Sequence, residues 1–166
     1  MKIKYDNSNV RRQDRLLDEL RAIELLRTAE YGVMSMADTY GEPYAVPVNF
    51  VWDTESSIYI HCAPEGKKLR ILAKNSKVQL CIIGRVNLLP HKFTTEYESV
   101  IISGTARIGL NEDERKKALE LILNKLSPND KEVGMKYAEK SFHRTEIIRI
   151  DINSFSGKAK VVNDNQ

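Results

Sequence analysis

The sequence predicts an α+β domain built on an antiparallel sheet. Three observations carry that reading. Short, β-branched, apolar segments recur between residues 31 and 157, separated by turn-rich stretches. An amphipathic segment at 12–29 precedes them, and a second at 111–127 precedes the last of them. No repeat and no linker divides the 166 residues. That length suits one domain with a real core, read as 1–166 with a core of about 12–155 and frayed ends.

The elements follow in order. In 12–29, Leu16, Leu17, Leu20, Ile23 and Leu26 recur at helical spacing with charges between them, and Gly32 is a stop signal. YGVMSMA (31–37), the turn DTYGEP and YAVPVNFVW (44–52) read as a hairpin. Pro47 cannot donate to a ladder, so its strand is expected at an edge or at a bulge. DTESS turns into SIYIHCA (57–63), which extends a meander. KKLRILAKN (67–75) reads as a short helix with Leu69, Ile71 and Leu72 inward. KVQLCIIG (77–84) is a strand and RVNLLPHKF (85–93) a loop. TTEYESVIISGTARIGL (94–110) is a long strand bent near Gly104. In 111–127 Asn111 caps a helix whose stripe is Leu119, Ile122, Leu123 and Leu126. TEIIRIDINSFSG (145–157) is the last strand, and the tail KAKVVNDNQ is expected to fray. Some six strands with flanking helices lose their edges most economically by curling into a small barrel.

Composition narrows the function. The 26 basic and 23 acidic residues are interspersed and the net charge is +3, which speaks against a dedicated nucleic-acid protein. A small anionic ligand fits that balance. No run approaches the ~18 apolar residues of a membrane span, and no apolar leader opens the chain. Two cysteines are too few for a disulfide framework, which makes a cytoplasmic setting the simplest expectation.

The stretch YIHCAPEGKKL (59–69) concentrates the chemistry. Its histidine and cysteine are adjacent on a strand and point to opposite faces, and the chain has neither CxxC nor HExxH, so no metal site is expected. Cys81 reads as a small core residue, and Cys62 lacks an obvious catalytic partner. There is no GxGxxG and no GxxxxGK[ST]. Gly66 followed by Lys67 and Lys68 is the local conflict. Lysines opening a helix oppose its dipole, and a bound anion would offset the mismatch. Two solvated lysines on a turn would look the same.

VPVNF (46–50), SIYIHCAPEGKKL (57–69), SKVQLCI (76–82), TEYESVIISGTA (95–106) and DERKKALELIL (113–123) stand in an order that resembles the pyridoxamine 5′-phosphate oxidase-related flavoproteins, and within them the Nim-type, 5-nitroimidazole-resistance group. The resemblance spans about residues 12–152, with His61, Ala63, Gly66 and Lys68 forming an HxAxxGxK pattern. It implies a six-stranded antiparallel split β-barrel with flanking helices, forming a homodimer with FMN at the subunit interface. It places Val46, Pro47, Val48 and Asn49 beside the flavin ring, and Ile60 and His61 near the ring or ribityl chain. Lys67 and Lys68 would meet the phosphate, with the direct contact left open between them. Tyr97 and Ser99 would complete the site from the same or the partner subunit. It further implies an oxidoreductase acting on a small molecule such as a nitroimidazole antibiotic, with His61 as a proton donor. The alternative is a non-catalytic flavin or haem module. The chain ends without the arginine–histidine pair of the vitamin-metabolising oxidases, so the resemblance does not extend to oxidation of pyridoxamine 5′-phosphate.

Overall fold

The computed structural model describes residues 3–162. Its elements run β1 (Lys4–Tyr5), α1 (Glu19–Thr28), β2 (Tyr31–Ala37), β3 (Pro43–Asn49), β4 (Val51–Trp52), β5 (Ser57–Cys62), α2 (Lys67–Leu72), β6 (Lys77–Leu89), β7 (Thr94–Arg107), α3 (Glu112–Leu126), α4 (Lys131–Ser141) and β8 (Glu146–Lys160). The sheet order is β3-β2-β6-β7-β8-β5-β4, with β1 pairing in parallel to β8 and every other pairing antiparallel. The α+β class and the split-barrel character hold. The sheet has eight strands rather than six, and no ladder closes it.

The reason lies at Phe50. The segment 43–52 begins on one edge, where β3 pairs with β2. It passes through buried Phe50 and ends on the opposite edge, where β4 pairs with β5. One residue of chain thus joins the two edges without a ladder between them. Pro47 sits on the edge strand, where a missing N–H is tolerated.

Even-numbered residues of the central strands point inward. Met34, Ile58, Ile60, Leu80, Ile82, Val100, Ile102, Ile148 and Ile150 are each at most 1% exposed and form one cluster with Phe50 and Phe155. Gly104 carries the bend expected of it. A register shift lies between Ser103 and Gly104, and a Cβ there would stand 2.5 Å from Ile150 Cγ2 and 2.7 Å from the Asp151 carbonyl.

Several sequence expectations change. Helix α1 is shorter than 12–29, because Asp18 caps it by accepting from the Leu20 and Arg21 amides. The chain before it is spent elsewhere: the Leu17 amide donates to the Gly157 carbonyl. The buried face is therefore Ala22, Leu25 and Leu26, and Leu20 is 76% exposed. Gly32 stops nothing; it lies within β2, where a Cβ would meet the Cys81 carbonyl at 3.0 Å. Of residues 85–93, read as a loop, only Pro90–Phe93 form a turn; 85–89 are strand. β6 runs on to Leu89 and forms an arm with β7, pinned by Glu96, which accepts from Arg85 and Asn87. Sheet pairing also reaches beyond the 12–155 core at both ends, through Lys4 and Tyr5 and through Ser156–Lys160, so Lys158–Lys160 of the expected frayed tail are strand. Residues 163–166 of that tail lie outside the described chain. Helix α4 occupies a stretch in which the sequence showed no element, because its apolar positions Val133 and Tyr137 are mostly solvent-facing.

Two expectations hold closely. Leu69, Ile71 and Leu72 are the buried residues of α2. Asn111 caps α3 by accepting from the Glu114 amide at 2.9 Å. Glu114 does not complete a capping box; its carboxylate takes Arg149 and Tyr59 instead. Helix α3 lays Ala118, Leu119 and Ile122 over Val51, Tyr59 and Ile147, outside the barrel.

Candidate functional site

A groove of about 480 Å³ opens beside the free edge of β3. Pro47, Val48 and Asn49 form one wall, and His61, Cys62 and Ala63 at the end of β5 form another. Lys68 enters from α2, and Arg144 and Thr145 from the turn before β8. There is no carboxylate among these lining residues. The groove is therefore cationic, with an edge strand whose outward main-chain groups have no neighbouring strand.

Local sequence explains each placement. Strand β5 alternates, so Ile58 and Ile60 fall inside and Tyr59 and His61 outside. Gly66 has φ of 140°, a conformation that favours glycine, and it turns the chain from β5 into α2. Helix α2 has only six residues, so the positive character here comes from side chains rather than from a long helix dipole. Lys67 and Lys68 separate at this point. Lys68 lines the groove, while Lys67 Nζ lies 4.6 Å from the centre of the Tyr44 ring. Asn49 lines the groove, and its Nδ2 donates to the Glu30 carbonyl at 3.0 Å.

Arg144 is held in place from behind. Arg115 of α3 donates to the main-chain carbonyls of Phe142 and Thr145, and its guanidinium lies 4.2 Å from the centre of the Phe142 ring. The residues bracketing Arg144 are thus fixed by a side chain outside the groove.

The electrostatics sort the titratable groups. Desolvation, and then the charge of Lys68, lower the His61 imidazole from its ordinary 6.5, which favours its neutral form at pH 7. Burial raises the Cys62 thiol above its ordinary range, with Lys68 pulling weakly the other way. Cys62 packs against the core cluster and is a poor nucleophile at neutral pH. Burial raises the Cys81 thiol as well. Cys81 is half-buried on the outer side of β6, not in the core as expected. Among the described residues, no three His, Cys, Asp or Glu side chains gather where they could hold a metal ion.

Of the residues singled out in the sequence, the fold brings Pro47, Val48, Asn49, His61 and Lys68 into one groove. Val46 points to the barrel interior and packs against the core. Ile60 is 1% exposed, so its side chain belongs to the core and it can offer a ligand only main chain. Tyr97 and Ser99 lie on β7, facing out of the barrel and away from this groove within the chain. Arg144 and Thr145 were missed. The signal was a basic residue just ahead of the last strand, and only the pairing of β5 with β8 carries it to His61.

The fold is similar to that of several solved structures. The chain is similar in fold to a candidate 5-nitroimidazole antibiotic resistance protein from Bacteroides thetaiotaomicron, with 21% identity and a TM-score of 0.73 over 87% of this chain and 86% of that one. It is similar to an FAD-binding protein from Mesorhizobium loti, with 22% identity and a TM-score of 0.61 over 89% and 98%. It is also similar to an FAD- and haem-binding protein from Mycobacterium smegmatis, with 18% identity and a TM-score of 0.72 over 90% and 75%. No curated protein matches the chain in sequence. No helix among the described residues is long and apolar enough to cross a membrane. The pyridoxamine 5′-phosphate oxidase family profile matches residues 18–159, and the chain belongs to that family.

Proposed function

We propose that this protein is an FMN-dependent oxidoreductase that reduces nitro groups of small aromatic compounds such as 5-nitroimidazoles. The observation that carries the reading is the convergence of Lys68, Arg144 and His61 on the free edge of β3. Lys68 and Arg144 suit a phosphate: two cations on separate elements, with no acid in the groove lining. The edge main chain at Pro47–Asn49 suits the polar rim of a flavin ring. These residues fit the group, and likeness to flavin-binding proteins of the same fold supports it. When bound, the flavin supplies hydride or electron transfer, and the protein supplies binding, orientation and electrostatics.

His61 borders the site as a neutral imidazole, with one donor and one acceptor nitrogen. Its first role is to orient by hydrogen bonding. Proton donation requires the imidazolium, so it weakens as the pH rises past a midpoint below 6.5.

The working unit in this reading is a cytoplasmic homodimer. Ile83, Val86, Leu88 and Phe93 are exposed on the β6–β7 arm, and Phe93 is 96% exposed. Tyr97 and Ser99 face outward on the same arm and its base, where they would meet a partner's groove. Two free cysteines suit a reducing compartment.

The test is to reduce the flavin-loaded protein anaerobically, add a 5-nitroimidazole and follow flavin absorbance. Re-oxidation faster than that of free reduced flavin is expected. No acceleration would remove the nitroreductase reading and leave the non-catalytic flavin or haem module.

A further inference from the structure

A second cavity, of about 500 Å³, lies between α3 and α4. Its walls are Leu119, Ile122, Leu123 and Leu126 from α3 and Val133 and Tyr137 from α4. This is the size and character of a site for a small organic molecule. It meets the cationic groove at two residues, because His61 and Thr145 line both. One cavity is therefore apolar and the other cationic, and a neutral imidazole stands on their common border.

The helices are built to leave this space. Gly134 lets α4 approach α3, since a Cβ there would stand 2.6 Å from Leu123 Cδ2. Past that contact α4 buries none of its residues, and Val133 stays 70% exposed despite its apolar side chain. The polar groups at the border are mostly committed. Thr145 Oγ1 donates to the Ser141 carbonyl, and Ser141 Oγ donates to the Tyr137 carbonyl. His61 is left to meet a ligand, as one donor and one acceptor.

We propose that the α3–α4 chamber binds an uncharged, mostly apolar ring compound with one polar group directed at His61. Only Asp130, at the far end by the α3–α4 turn, brings a formal charge to the lining, so an anion gains nothing there. Resting on the function proposed above, the chamber presents this compound as the second substrate, beside the groove that holds the flavin. The binding itself stands without that reading.

The probe is 2-methyl-1,4-naphthoquinone, titrated calorimetrically into the full chain with and without FMN. A Kd of roughly 10 μM is expected, a moderate efficiency for so few heavy atoms. Ala138→Trp fills the chamber and should weaken binding at least roughly tenfold. Val133→Asp changes an exposed position that the fold does not need, and should weaken binding several-fold while the melting temperature holds. Lys68→Glu should lose FMN and keep the naphthoquinone. No binding by the wild type up to the solubility limit would overturn the proposal, as would wild-type affinity in both chamber variants. Wild-type protein that binds the naphthoquinone but no flavin would sink the proposed function and leave the chamber standing. Flavin bound with the naphthoquinone ignored would do the reverse.

Discussion

Lys125 of α3 reaches Phe50 in two ways: its Nζ donates to the Phe50 carbonyl at 3.0 Å and lies 4.0 Å from the centre of the Phe50 ring. Phe50 is the residue at which the chain leaves one sheet edge for the other. A cation thus clamps the point where the barrel is split. Burial pushes the ammonium down from 10.5 to about 8, with Glu30 opposing the shift weakly.

The clamp predicts a pH dependence of stability. Between pH 8 and 10.5 the unfolded chain holds a proton at Lys125 that the folded chain has released, so stability rises with pH across that window. Lys125→Met removes the contribution. Urea midpoints of wild type and variant, compared from pH 7 to 10.5, should diverge in favour of the wild type as pH rises. Parallel curves would show that Lys125 titrates normally in the fold.

Gly104→Ala should destabilise the protein by about 1–3 kcal/mol, the usual cost of overpacking a well-filled core. The added methyl meets Ile150 and, more seriously, the Asp151 carbonyl, which is main chain and cannot swing away. Urea unfolding measures the loss, and an unchanged midpoint would contradict this packing at the bulge.

Arg115 should govern flavin affinity from outside the groove. Arg115→Met keeps apolar cover for the Phe142 ring and removes the donors to Phe142 and Thr145. Arg144 then loses its anchor, and FMN affinity should fall roughly tenfold. A structural role alone would lower the melting temperature and leave affinity unchanged, so both are read. Arg115→Lys keeps the charge without the forked geometry and should rescue only in part.

His61 should titrate below 6.5 in the flavin-free protein, by proton NMR of its ring. Removing the nearby charge with Lys68→Ala should raise that midpoint without restoring it fully, because desolvation is the larger cause. A midpoint at or above 6.5 in the wild type would remove the neutral-imidazole assignment.

Much of the framework was legible because local chemistry and fold agree. The Asn111 cap, the apolar triad of α2 and the bend at Gly104 each follow from residue types at fixed spacing. Misreadings came where tertiary context overrode local pattern. The leucines before α1 fit a helical stripe, but Leu17 pairs with Gly157, distant in sequence. Residues 85–89 look like part of the loop that follows them because a strand in a protruding arm keeps polar residues and exposes its apolar ones. The site divides in the same way. His61 and Lys68 share one short stretch and could be read together. Arg144 reaches them only through the β5–β8 ladder, and no spacing in the sequence encodes that.

In the proposed function, Lys68 and Arg144 hold the phosphate of a flavin beside β3. Titration of the flavin-free protein with FMN, and separately with riboflavin, tests it most directly. Tight FMN binding and riboflavin binding at least roughly 100-fold weaker are expected, with Lys68→Glu and Arg144→Glu each erasing that difference. Equal affinity for FMN and riboflavin in the wild type, or full FMN retention in both variants, would contradict it.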